Sequence, residues 1–110
     1  MKTKMWYPII LLGIGADGHT ASLFPGSTAL AEPSRWCVSS QAPEGAPSPD
    51  RITFTFPVMR TCPLLFMATG AEKKPVIEAI KTAKTPTLPV QTACEQSVSE
   101  WFIDAAASGQ

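Results

Sequence analysis

The sequence has a single histidine and three cysteines in 110 residues, and its nine acidic and nine basic side chains cancel. Without net charge there is no extended positive field to draw in nucleic acid or an acidic membrane surface. Any anionic ligand must therefore be met by a few placed cations. The cysteines, Cys37, Cys62 and Cys94, are odd in number, far apart and in no C-x-x-C spacing. That pattern excludes a disulfide framework and a zinc site and predicts reduced thiols in or near a core. Long hydrophobic runs are also missing. The apolar stretch Pro8 to Leu12, behind a basic N-terminal segment, is far too short for a signal peptide or a membrane span. A cytoplasmic protein is the expectation. No internal repeat or low-complexity tract occurs.

What is present is an ordinary globular composition, 45% hydrophobic, long enough for one domain at most. The 11 prolines concentrate at 43–49 and 85–89, which read as loops. Ile9-Ile10-Leu11-Leu12 and Leu64-Leu65-Phe66-Met67-Ala68 are short, continuous apolar runs, each ended by or near a glycine. They predict strands buried on both faces, as in a parallel sheet. Trp36–Ser39 and the alternating Arg51–Phe56 predict two further strands. Thr20–Phe24 is expected as a short helix stopped by Pro25-Gly26, and Ser27 to Ala31 as another turn capped by Ser27 or Thr28. Pro57 opens a turn or short helix to Thr61. A helix is expected from about Ala71 to Thr82, with Pro75 tolerable only in its first turn. Residues 83–92 read as irregular. Cys94, Val98, Trp101, Phe102 and Ala105 suggest a final amphipathic helix. The fold class is α/β. Strands apolar on both faces need helices on both sides, and the chain offers about two good ones, so it reads as part of a larger sheet.

The loop Gly13-Ile14-Gly15-Ala16-Asp17-Gly18-His19-Thr20 follows a buried strand, at the sheet edge where α/β proteins bind ligands. Gly13, Gly15 and Gly18 permit tight turns, and their N–H groups can face an oxyanion or phosphate. Asp17 can orient His19, and a neutral imidazole is a suitable general base near pH 7. The first six residues also fit G-x-G-x-x-G. A dinucleotide site is disfavoured because His follows the third glycine, Pro25-Gly26 breaks the next segment, and no ribose-binding acid follows in a βαβ unit. Thr20 and Ser22 read as residues at a helix start rather than nucleophiles, and the tryptophans as packing.

Residues 11–27, Leu-Leu-Gly-Ile-Gly-Ala-Asp-Gly-His-Thr-Ala-Ser-Leu-Phe-Pro-Gly-Ser, closely resemble the signature of the 6-phosphogluconolactonases. Arg51–Val58, Thr69–Lys73 and Trp101–Ala107 are similar to later segments of that family, in its order and at about its spacing. The resemblance implies a Rossmann-like three-layer sandwich of the sugar-phosphate isomerase and lactonase type. This chain would be a C-terminal portion of it, with residues 1–6 an atypical segment and 7–110 family-like. It implies hydrolysis of 6-phospho-D-glucono-1,5-lactone without cofactor or metal. His19 is the implied base, and Asp17 orients it or contacts the sugar. Gly13, Gly15, Gly18, Arg51 and Lys73 are the implied substrate-binding residues. The plain alternatives are that Arg51 caps a loop and Lys73 is solvated. Relatives that isomerise and deaminate glucosamine 6-phosphate usually carry Glu five residues after the histidine. Phe24 stands there instead, which favours the lactonase. The expected partner is a sugar-phosphate lactone, not nucleic acid or membrane. The family's N-terminal Ser/Gly-rich phosphate loop is not recognisable in these residues. The chain is thus expected to need a missing N-terminal half, to self-associate through uncovered edges and faces, or to be an inactive fragment.

Overall fold

The computed structural model describes residues 7–82 and 88–109. Its centre is a three-stranded parallel sheet in the order β1-β4-β5, with β1 Ile10–Leu12, β4 Leu64–Ala68 and β5 Ser99–Ile103. Leu12 pairs with Phe66, and Phe66 in turn with Trp101. A separate antiparallel hairpin joins β2 Cys37–Gln41 to β3 Asp50–Phe54, with Ser40 opposite Arg51. The helices are α1 Phe56–Met59, α2 Lys74–Thr82, α3 Pro89–Gln96 and α4 Ala105–Ser108.

The apolar runs become strands as expected, but the structure buries only one of their faces. Leu12, Leu64, Phe66 and Ala68 join Val58 and Met59 of α1, Val76 and Ile77 of α2, and Val90 and Ala93 of α3 in one core cluster. Phe66 is fully buried, with its ring stacked on Trp101 at 4.4 Å and 12°. Side chains alternate across a strand, so the intervening residues point the other way. Leu11, Met67 and Phe102 are 66%, 56% and 59% exposed, because the described helices cover only the opposite face.

Four local expectations are corrected. The helix expected over 20–24 is a tight turn, closed by Leu23 N–H donating to the Thr20 carbonyl at 2.9 Å, with Ala21 at φ 51°. Hydrogen bonds to the hairpin displace the helical ones here. Ser22 N–H donates to Thr53 Oγ1 at 3.0 Å, and Ser40 Oγ donates to the Ser22 carbonyl at 2.6 Å. The final helix expected from Cys94 to Ala105 is instead three elements, α3, β5 and α4. Helical spacing of Val98, Trp101 and Phe102 was fortuitous. The aromatic and β-branched content of Ser99–Ile103 suits the open edge of β4, a partner distant in sequence. Of the stretch read as irregular, 83–87 lie outside the described residues, and α3 begins at Pro89, where its fixed φ suits the first helical position. Arg51–Phe56 is also shorter as a strand, since Phe56 already starts α1.

The cap at Ser27 and the position of Pro75 are as expected. Ser27 caps the 3₁₀ turn Thr28–Ala31, accepting from Ala29 N–H. Ala71–Lys73 forms a 3₁₀ turn before α2, and Pro75 falls in the first turn of that helix. Buried Gln91 ties α3 to its surroundings: its side-chain oxygen accepts from Leu88 N–H at 2.8 Å and its amide donates to the Ala79 carbonyl at 3.1 Å. The cysteines are unpaired. Cys62 is buried and Cys94 half-buried, but Cys37 is exposed, outside the expected core position. Burial pushes the Cys94 thiol up, against hydrogen bonds with Ser99 and Trp101. No helix among the described residues is long and apolar enough to cross a membrane.

Candidate active site

Three segments leave the carboxyl edge of the parallel sheet: the loop after β1, the Gly70–Lys73 turn after β4, and Asp104 after β5. The first holds the histidine. Gly15 N–H donates to the His19 carbonyl at 2.9 Å and Gly18 N–H to the Gly15 carbonyl at 3.0 Å, so the loop doubles back on itself. Thr20 Oγ1 donates to the Gly13 carbonyl at 2.8 Å, tying the loop end to the strand end. The Gly18 carbonyl accepts from Val90 N–H at 3.1 Å, which anchors the loop to α3.

The folded loop brings His19 Nδ1 to 2.6 Å from Asp17 Oδ1, and the same oxygen accepts from His19 N–H at 3.1 Å. Burial works against ionisation of Asp17. The hydrogen bonds from the His19 ring and backbone, with the charge of the ring, outweigh it and hold the carboxyl below its ordinary value of 3.8. A carboxylate partner at Nδ1 favours a proton there and leaves Nε2 as the acceptor in the neutral ring. No other hydrogen bond among the described residues engages the imidazole.

The depressed carboxyl has a pH consequence. Its contribution to stability is fully present above the unfolded value of 3.8 and is lost as pH falls through the lower folded one. The stability difference between wild type and Asp17→Asn, from urea midpoints, is therefore expected to shrink below pH 3.8. A constant difference from pH 6 to pH 2.5 would count against the Asp17–His19 pair.

The glycines differ in their tasks. A Cβ on Gly15 would lie 2.2 Å from both Nδ1 and Cε1 of His19, so only hydrogen fits beneath the ring. Gly18 has φ +88° and faces Leu88, whose side chain would lie 2.8 Å from an added Cβ. Gly13 meets nothing within 4 Å. The expectation that the loop N–H groups face a ligand is corrected at Gly15 and Gly18, whose donors are spent within the loop. These two glycines shape the site rather than supply donors to it.

Arg51 reaches the same place from β3. Its Nε donates to the Ser48 carbonyl at 2.7 Å, which is the loop-capping role, while its guanidinium carbon lies 5.6 Å from the centre of the Phe24 ring. That ring also packs against His19, at 4.5 Å and 41°. Lys73 ends the turn after β4, half-buried at the shared sheet edge, and no hydrogen bond or ion pair joins it to the loop. The structure thus gathers Asp17, His19, Gly15 and Arg51 and leaves Lys73 apart. Phe24 as the common neighbour of His19 and Arg51 was not foreseen from sequence, nor was Leu88 behind Gly18. The local spacing of five from His19 could have flagged the first. The second, 70 residues distant, leaves no local signal.

Residues 4–102 match the family model described as glucosamine-6-phosphate isomerases/6-phosphogluconolactonase. The chain belongs to this family. Its family relatives include 6-phosphogluconolactonase 3, chloroplastic, of Arabidopsis thaliana, 38% identical over 108 residues, and 6-phosphogluconolactonase 3 of Saccharomyces cerevisiae, 40% identical over 112. These alignments cover 94% and 93% of this chain but only 32% and 43% of those proteins. The chain therefore spans about a third to two-fifths of the length of such relatives. Its fold superposes on 6-phosphogluconolactonase from Trypanosoma brucei with a TM-score of 0.79 at 33% identity, over 94% of this chain and 41% of that one. For the devB protein the TM-score is 0.77 at 38% identity, covering 94% and 44%. A monomeric glucosamine-6-phosphate deaminase shares the fold, with a TM-score of 0.71 at 20% identity over 93% of this chain and 47% of the other.

Proposed function

We propose that the chain carries the base-bearing part of a lactonase that hydrolyses 6-phospho-D-glucono-1,5-lactone to 6-phosphogluconate. The observation that supports it most is the 2.6 Å contact of His19 Nδ1 with Asp17, which leaves Nε2 as the ring's unbonded nitrogen. Nε2 takes a proton from water as the water oxygen attacks the lactone carbonyl carbon C1. The tetrahedral intermediate then collapses, the bond from C1 to the ring oxygen breaks, and the proton on Nε2 passes to that departing oxygen. Asp17 holds the imidazole in the required tautomer and stabilises the transient imidazolium. Arg51 is the cation beside the loop for the substrate's phosphate, with its two terminal amines free of the Ser48 bond, and the family resemblance assigns Lys73, apart from the loop at the turn before α2, as a second. Phe24, in place of the carboxylate usual in the isomerase relatives, supports hydrolysis over isomerisation.

One observation favours a second reading, a chain that keeps the loop but does not turn over substrate alone: the open face bearing Leu11, Met67 and Phe102. The test uses the purified chain, with size-exclusion chromatography to establish its state. Acid release from the lactone is followed in a pH-stat against the spontaneous rate, and ammonia release from glucosamine 6-phosphate is measured in parallel. Lactone hydrolysis above the solvent rate without ammonia is expected. Hydrolysis at the solvent rate by well-folded chain sinks the lactonase reading for this chain, and ammonia release replaces it with the deaminase.

A further inference from the structure

We propose that Phe24 is the positioning residue of this site, a single aromatic plate that sets the orientation of the His19 imidazole and the seat of the Arg51 guanidinium together. The proposal rests on the lactonase reading for its catalytic consequence, but its structural content stands on the contacts alone.

The Asp17 contact fixes one point of the imidazole. A hydrogen bond at Nδ1 fixes one distance and still leaves a coupled rotation of χ1 and χ2, which moves Nε2, the atom that must face the reacting water. A planar wall removes this freedom. Phe24 supplies one: its ring centre is 4.5 Å from that of His19, inside the range in which aromatic pairs attract, and the rings are tilted by 41°. Gly15 also lies so close to Nδ1 and Cε1 that nothing larger than hydrogen fits there. The imidazole is thus held by a carboxylate at one corner, backbone at one edge and an aromatic ring against its side.

The same plate carries Arg51. The guanidinium carbon stands 5.6 Å from the Phe24 centroid, within reach of the negative π-face, and its Nε is held by Ser48. No hydrogen bond or ion pair links Arg51 directly to His19 or Asp17. Phe24 is a side chain that both contact, and the spacing of base and cation passes through it. The plate is itself well held. Phe24 is 5% exposed although it sits in a turn, its neighbour Leu23 is fully buried, and its carbonyl accepts from Ser27 N–H at 3.0 Å.

His19 is the sole histidine, so its ring signals are unambiguous in the intact chain. The test compares wild type, Phe24→Tyr, which keeps the plate, and Phe24→Leu, which keeps apolar bulk without a plane. Phe24→Met replaces the leucine variant if that one does not fold. Carbon relaxation at His19 Cε1 reads ring mobility, and lactone hydrolysis supplies kcat and KM. The expected order parameter is the same in wild type and Phe24→Tyr and clearly lower in Phe24→Leu. The expected kcat is about tenfold lower in Phe24→Leu as the imidazole loosens, KM rises several-fold as the Arg51 seat is lost, and both are restored in Phe24→Tyr. An equally rigid imidazole in Phe24→Leu overturns the proposal whatever the activities are. A mobile imidazole with unchanged kcat overturns its catalytic consequence. Inactive wild type with the expected mobility change removes the lactonase reading and leaves Phe24 as the positioning residue.

Discussion

His19→Ala is expected to lower kcat for lactone hydrolysis by about 10² to 10⁴-fold, the range in which a positioned general base contributes. The fold should tolerate the change. His19 is half-buried, and beside the ring contact with Asp17 that the change removes, two bonds are made by backbone: its carbonyl accepts from Gly15 N–H and its own N–H donates to Asp17. Alanine keeps both groups. The loss should therefore fall on kcat and kcat/KM alike, with KM little changed, because the base acts on water rather than on the bound phosphate. Lactones of this kind also hydrolyse in solvent, so the comparison is made after subtracting the spontaneous rate and at several pH values. Near-unchanged kcat with a native circular dichroism spectrum would remove His19 from the base role.

Gly15→Ala should give the second large effect, a loss of activity of about 10²-fold with little loss of stability. An added Cβ lies 2.2 Å from two atoms of the His19 ring and 2.8 Å from Asp17 Oδ1. Both neighbours are ends of rotatable side chains, so the clash is relieved by moving them and the backbone stays in place. Relief costs the Asp17–His19 contact. One methyl group thus separates shape from donors: the Gly15 N–H still closes the loop, while the imidazole is displaced. The check is activity together with the Asp17 carboxyl titration, which should move up toward 3.8 as its hydrogen bonds from His19 are lost. Wild-type activity in Gly15→Ala would mean that the ring is not held where the structure has it.

The two substitutions divide between what was legible in the residues and what was not. The candidacy of His19 could be read directly, from a lone imidazole in a Gly-rich loop after a buried strand and from the resemblance of residues 11–27 to the family signature. The burden on Gly15 could not. A glycine in a loop ordinarily signals a turn or a ligand-facing N–H, and here it signals a side chain seated 2.2 Å from the position its Cβ would take. The Gly15 and Gly18 donors, expected to face an anion, are turned inward by the fold of the loop.

Local pattern determined a good deal by itself. Ile10–Leu12 and Leu64–Ala68 are strands because their runs are too short and too apolar to be anything else stable. Lys74–Thr82 is a helix because Val76, Ile77 and Ile80 recur on one face, and Pro75 falls where a missing N–H costs nothing. The order strand, Gly-rich loop, histidine placed the candidate base at the carboxyl edge of a sheet. Tertiary structure decided the rest, wherever a partner lies far along the chain. Ser99–Ile103 has helical spacing, yet it is a strand because β4 offers it an edge. Thr20–Leu23 is a turn because Thr53 and Ser40 take up the backbone groups of Ser22. Arg51 meets the histidine loop only because the hairpin is clamped to that turn, with Phe24 between them. Residue spacing records which side chains share a face of one element. The contacts of His19 come from its own loop and from Phe24, the turn that carries Phe24 is held by a hairpin some thirty residues on, and only folding brings these together.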